Sequence, residues 1–154
     1  MKTLTVAEAA WIAGFLEGEG SFTLSNKRSH RLMISAPQSD SAPLLYIQRL
    51  VGGGVYYRPH NGFSGNPIYV WKISRPQLIK PLIKNIYSYL RTSRVKKRAR
   101  CIYQIATLIR ERKIGQTRSL SEEDQEKREK IYKIWGDTRQ GKKRGPRSKR
   151  SGSK

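Results

Sequence analysis

Cysteine, histidine, acidic side chains and long apolar runs are all scarce in this chain. Its 154 residues include one cysteine, Cys101, and two histidines. One cysteine excludes an internal disulfide and suits a reducing, intracellular compartment. One cysteine with two scattered histidines also excludes a standard zinc finger, whose metal needs clustered sulfur and nitrogen ligands. Cys101 falls among the apolar residues of a helical pattern and reads as an inert buried thiol rather than a nucleophile. No stretch reaches the roughly 18 apolar residues that mark a membrane span, and no signal-peptide pattern is present, so no membrane partner is expected. Acids are outnumbered most heavily of all: 11 Asp and Glu stand against 32 Lys and Arg, for a net charge of +21. That imbalance predicts a polyanionic partner, nucleic acid before an anionic membrane.

What is present is most sharply defined between Trp11 and Phe22. Thr5 followed three residues later by Glu8 is a capping box, so a helix is expected to begin at Val6. Gly18 and Gly20 end it, because glycine gives the backbone its exit conformation. Gly14 and Gly18 stand one turn apart, beside Ala13, and leave a stripe poor in side chains where a second backbone can approach. Glu17 and Glu19 occupy the last turn, where the helix dipole disfavours each carboxylate by about 0.3–1 kcal/mol. A bound hard cation offsets that cost, since free carbonyls and a carboxylate make an oxygen site. Merely solvated terminal acids are the alternative.

Further along, Phe22, Leu24, Leu32, Ile34 and Ala36 alternate with Thr23, Ser25, Arg31, Met33 and Ser35, the period of a half-buried hairpin with its tip at Asn26 to His30. Leu44 to Leu50 reads as a short helix between Gln38-Ser39-Asp40-Ser41 and Gly52-Gly53-Gly54. Val55 to His60 and Ile68 to Ser74 form a second strand pair. Tyr57, Tyr69, Trp71 and Ile73 are placed toward a core, with Tyr56, Arg58, His60, Val70 and Lys72 on the other side. Ser74 to Gln77 reads as a second capping box, and Pro81 as a kink or restart in the helix that follows. A longer helix runs from about Arg94 to Lys113. The last starts near Ser121 and packs through Ile131, Ile134 and Trp135. Residues 1–136 read as one domain and residues 137–154 as a basic, weakly ordered tail.

The resulting order, α-β-β-α-β-β-α with further helices, is an α+β arrangement. Four antiparallel strands with one apolar and one polar-basic face want helices on the apolar side only. The other face suits a β-ribbon reader of a DNA major groove. Arg28, Arg31, Arg58 and Lys72 match guanine edges or phosphates, with Lys27 beside them. Ser25, Ser35, Tyr56 and His60 are more permissive hydrogen-bonding groups. Lys96, Lys97 and the tail add phosphate attraction independent of sequence.

Ile12-Ala13-Gly14-Phe15-Leu16-Glu17-Gly18-Glu19-Gly20, continued by Ser21-Phe22, resembles the signature of the LAGLIDADG homing endonucleases. The element order resembles that family's αββαββα core with its four-stranded antiparallel DNA-binding sheet. The resemblance implies a homodimer packed through Ala13, Gly14 and Gly18, cutting a long, roughly palindromic double-stranded DNA target and leaving short 3′ overhangs. It implies Mg²⁺, or Mn²⁺ or Ca²⁺ in its place, held by Glu19 and the Gly18 carbonyl. Glu17 is then structural, Gln38 holds the water network, and Lys96 stands near the scissile phosphate, with Lys97 or Arg94 as alternatives for that role. Such proteins are often intron-encoded. An intron-splicing maturase of the same fold, binding intron RNA without cutting, is the alternative. A basic ribosome-associated protein accounts for the charge but not for the helix-terminal acids.

Overall fold

The computed structural model describes residues 3–25, 31–59, 66–111 and 121–138. Helix α1, Val6–Gly18, starts where the sequence places it. The Thr5 hydroxyl accepts the Glu8 N–H at 3.2 Å, and the Glu8 carboxylate accepts the Thr5 N–H at 2.7 Å. Strand β1, Ser21–Leu24, pairs with β2, Leu32–Gln38; helix α2, Ala42–Val51, leads into β3, Gly54–Arg58, and β4, Ile68–Ile73. Helices α3, Pro76–Ile86, α4, Ser93–Glu111, and α5, Glu122–Asp137, complete the described elements.

The four strands form one antiparallel sheet in the order β1-β2-β4-β3. Directly paired residues share a face, so the register sorts the side chains. Phe22, Leu24, Leu32, Ile34, Ala36, Trp71 and Ile73 fall on one face and all are buried. Helix α4 lies against β1 on this side, α2 against β3 and β4, and α3 against α1 and α4. Helices on only one face leave the other open, which is the α+β layering that the alternation implied. Ile131, Tyr132 and Trp135 of α5 join the same apolar cluster by way of α4.

Several local expectations change. Ser74 does not cap α3; Arg75 is the N-cap, and its guanidinium, a donor only, makes no side-chain cap hydrogen bond, while Pro76 suits the first helical position. Pro81 neither breaks nor restarts α3. It removes only the bond to the Gln77 carbonyl, and the burial of Ile79, Leu82, Ile83 and Ile86 carries the helix through. Tyr132 rather than Ile134 packs beside Ile131 and Trp135; Ile134 is 46% exposed. Tyr57 lies on the helix-side face yet is 57% exposed near the end of the β3 edge strand. Val70, on the open face, is nearly buried. The tip at residues 26–30, the stop at Gly115 and residues 139–154 of the basic tail lie outside the described residues.

The α2–β3 turn is where glycine is required. Gly53 has φ +95°, and a Cβ there would stand 2.5 Å from Ile73 Cγ2 and 2.7 Å from the Lys72 carbonyl. The fully buried Trp71 donates its indole N–H to the Gly52 carbonyl at 2.9 Å, tying the turn to the core. Gly53→Ala is therefore expected to cost about 1–3 kcal/mol. Urea unfolding checks this, and an unchanged midpoint would show that the turn relaxes freely.

Candidate functional site

Helix α1 is apolar nearly all the way round. Its inner side buries Ala9, Ile12, Ala13 and Leu16. Its outer side leaves Val6, Ala7, Ala10, Trp11, Gly14 and Gly18 exposed, with Val6 at 72%. Ala13 is thus placed in this chain's own core, about 100° around the helix from Gly14, and is not part of the outer stripe. A Cβ built on Gly14 or Gly18 meets nothing within 4 Å, so neither glycine is needed by this chain's own packing.

At the tip of α1 the two acids have separate fates. Glu17 reaches across to the loop before α4, where its Oε1 accepts the backbone N–H groups of Arg91 at 2.9 Å and Thr92 at 2.6 Å. Burial on its own would raise the Glu17 carboxyl. The hydrogen bonds from Thr92 and Arg91, with the Lys96 charge, together outweigh it and hold the group below its usual value. Glu19 is the C-cap residue, exposed, with no side-chain hydrogen bond or ion pair among the described residues. The carbonyls of Phe15 and Leu16 accept the N–H groups of Glu19 and Gly20, and those beyond them, Gly18 included, lie past the last helical bond.

Gln38 ends β2. Ser21 pairs with Ser35, so the β2 end lies beside the point where α1 turns into β1. Its register with Tyr69 puts Gln38 on the helix-side face, half-buried, below the level of the open sheet. Lys96 lies in the first turn of α4, near enough to Glu17 to lower its pKa. Arg94 and Lys97 project elsewhere: with Ser93, Arg100 and Cys101 they line a cavity of about 610 Å³ against α5. The tip of α1 therefore gathers Glu17, Glu19 and Lys96, with Gln38 at the adjoining strand end. No hydrogen bond links Glu19, Gln38 and Lys96 among the described residues. Cys101 is buried, donates to the Ile131 carbonyl at 3.8 Å, and has its thiol pKa pushed up by burial.

Across the open face run two rows of paired residues, Ser21-Ser35-Lys72-Gly54 and Pro37-Val70-Tyr56, with Ile68 and Arg58 beyond. Ser35, Tyr56, Arg58 and Lys72 thus share one surface. Arg31 and Ser25 close the described end of the hairpin, where Ser25 Oγ accepts the Arg31 N–H at 2.8 Å. Lys27, Arg28 and His60 lie outside the described residues. Ser21 and Thr23 also belong to this face, and their alternation with Phe22 and Leu24 was signal enough to include them.

Among the described residues no three His, Cys, Asp or Glu side chains stand together. Glu19 and the Gly18 carbonyl offer only oxygen, which fits a hard divalent cation, but they are too few to enclose one without oxygens from outside this chain. No helix of the described residues is long and apolar enough to cross a membrane.

The family profile described as LAGLIDADG endonuclease matches residues 12–105, more than half of the chain. No curated protein matches significantly in sequence. Among solved structures, the homing endonuclease I-CvuI in complex with its target, in the presence of Ca, is 16% identical with a TM-score of 0.52, over 86% of this chain and 95% of that one. The LAGLIDADG meganuclease I-AabMI, bound to uncleaved DNA, is 21% identical with a TM-score of 0.59, over 80% of this chain and 43% of that one. The group I intron-encoded homing endonuclease I-CeuI, complexed with DNA, is 19% identical with a TM-score of 0.54, over 72% and 59%. At these identities the likeness is one of fold.

The Glu17 bridge has a pH signature. A carboxyl held below its ordinary value of 4.5 stabilises the fold fully above that value and ceases to as the pH falls through the lowered one. Glu17→Gln is expected to be less stable than the parent by about 1 kcal/mol at neutral pH. In urea unfolding the difference should close in acid; a constant difference would assign the effect to shape alone.

Proposed function

The chain belongs to the LAGLIDADG endonuclease family, and from that premise we propose that it works as a homodimeric homing endonuclease. Two copies meet through the outer stripe of α1 and make a double-strand break in a long, pseudo-palindromic DNA target. The observation that carries this reading is the tip of α1, where Glu19 has no side-chain partner among the described residues and stands beside an exposed face of small residues. One acid per chain serves one strand, and a two-fold axis supplies the second. The chain spans 95% of I-CvuI but 43% of I-AabMI, and with one copy of the motif it would supply half of a two-fold site. Residues 1–136 then act as one domain, with 137–154 adding phosphate attraction, and the coding frame lies within an intron.

Each residue has a task in this scheme. Glu19 and the Gly18 carbonyl would hold Mg²⁺, or Mn²⁺ or Ca²⁺ in its place, completed by oxygens of the partner chain and the DNA. The ion, when bound, supplies charge stabilisation at the phosphoryl oxygens and acidifies a water. Lys96 rather than Lys97 or Arg94 stands on the Glu17 side of α4 and places a fixed positive charge near the reacting phosphate. Gln38 orients water at the strand end. Ser35, Arg58 and Lys72 read base edges from the open face with Tyr56 beside them, and Ser25, Lys27, Arg28, Arg31 and His60 extend that surface. Gly14 and Gly18 form the dimer contact, now without Ala13. A maturase that holds intron RNA uncut needs no free acid at this place, so Glu19 supports cutting.

Incubation with a plasmid carrying the host gene's intron-less locus tests the scheme. Linearisation that requires Mg²⁺ is expected; binding without nicks, with or without metal, would favour the maturase. Glu19→Gln should bind the same DNA and fail to cut, and normal cutting by that variant would overturn the metal assignment. Lys96→Ala should slow cutting roughly tenfold or more, whereas Lys97→Ala should affect affinity in a salt-dependent way. Gly14→Leu should leave the monomer folded, since a Cβ at this exposed position meets nothing within 4 Å, but sediment as a monomer and lose double-strand cutting.

A further inference from the structure

Lys72 does not wave free above the sheet. Its Nζ lies 4.0 Å from the centroid of the Tyr56 ring, close enough for a cation–π contact. The ring in turn lies back across Gly54: a Cβ on that glycine would stand 2.6 Å from the Tyr56 hydroxyl oxygen and 2.7 Å from two ring carbons. Gly54 and Lys72 are direct cross-strand partners, and Lys72 is also paired with Ser35. Gly54 has no positive φ, in contrast to Gly52 and Gly53. Its missing side chain therefore serves the ring rather than the backbone.

We propose that Tyr56 is a positioning residue for sequence readout. Seated on Gly54, its ring fixes the Lys72 ammonium over the β4–β3 side of the open face, where it donates to the O6 and N7 acceptors of a guanine edge. This rests on the reading of the open face as the DNA-binding surface. A lysine stem loses much rotamer freedom when it binds, and a loose ammonium finds the nearest phosphate as readily as a base. Phosphate contacts give affinity without sequence information, whereas base contacts discriminate. Holding the ammonium away from the backbone thus converts a general charge into a selective donor. A floor of ring and glycine does this without a hydrogen bond that competes for the lysine's donors.

The test is selection from a duplex library randomised across the target length, using the full-length protein and its variants. Lys72→Ala should lose preference at one guanine-containing base pair in each half-site. Tyr56→Leu and Gly54→Ala should both lower preference at that same pair about two- to fivefold, with the salt dependence of overall binding unchanged. Tyr56→Phe, which keeps the ring, should retain the preference. Tyr56→Leu added to Lys72→Ala should cause no further loss at that pair. Thermal melts of each variant separate these effects from loss of fold. A Tyr56→Leu profile matching the parent, or additive losses at different pairs, would overturn the positioning role alone. A parent chain that enriches no duplex would overturn both this role and the DNA-reading surface beneath it.

Discussion

Helix α1 has two apolar sides and one chain covers only one of them. Ala9, Ile12, Ala13 and Leu16 go into the core, while Val6, Ala7, Ala10, Trp11, Gly14 and Gly18 face outward. A helix that is apolar all round is normally buried all round. Trp11 stacks on Phe15 and meets Tyr46 edge-on, which shelters part of the outer side, yet Trp11 itself stays 41% exposed. Small residues nearest the tip bring backbones close only if something equally narrow packs against them, and a second α1 has that shape. Much else in the fold follows from where this helix ends.

Its end is fixed by an interaction across the chain rather than within the helix. Glu17 opposes the local dipole, but it accepts two N–H groups from the loop that starts α4, and so binds one helix terminus to the beginning of another. The bridge holds the α1 tip against the turn that carries Lys96. Glu19, two residues on, is the exposed C-cap and makes no side-chain hydrogen bond or ion pair among the described residues. Two acids that look equivalent in sequence thus divide into one held within the fold and one that makes no hydrogen bond or ion pair among the described residues. The sheet hangs from the same junction, since β1 begins just past Glu19 and its register passes to β2, β4 and β3.

Much of this was legible because local signals agreed. The Thr5–Glu8 box, the two-residue alternation through Phe22 to Ala36 and the glycines after Val51 each specify local geometry without help from distant contacts. Glu17 could be read as structural from the family pattern, but its partners at Arg91 and Thr92 are more than 70 residues away and carry no local mark. Which of Arg94, Lys96 and Lys97 lies near Glu17 also had no local mark, because it depends on the rotation of α4, which turns Lys96 toward Glu17 and Arg94 and Lys97 toward α5. Ala13 was misplaced by treating a neighbour in sequence as a neighbour on the surface, although one helical step carries it into the core. Pro81 does not restart the helix, because the buried side chains around it hold α3 together and propensity says nothing of them. Tyr57 and Ile134 differ for the converse reason: they share the side of buried neighbours but lie at its margin, and Tyr57, although it meets the Tyr69 ring, stays exposed.

The central claim is that two chains meet along the outer stripe of α1. Oxidative cross-linking of Gly14→Cys in the DNA-bound protein measures it directly, since a disulfide forms only when the two Cα atoms lie within about 7 Å. The buried Cys101 provides a background that should not react. The account expects a covalent dimer of Gly14→Cys and none of a cysteine placed at Glu8. A Gly14→Cys protein that stays a single chain on its DNA, or that links no better than the Glu8→Cys control, would contradict it.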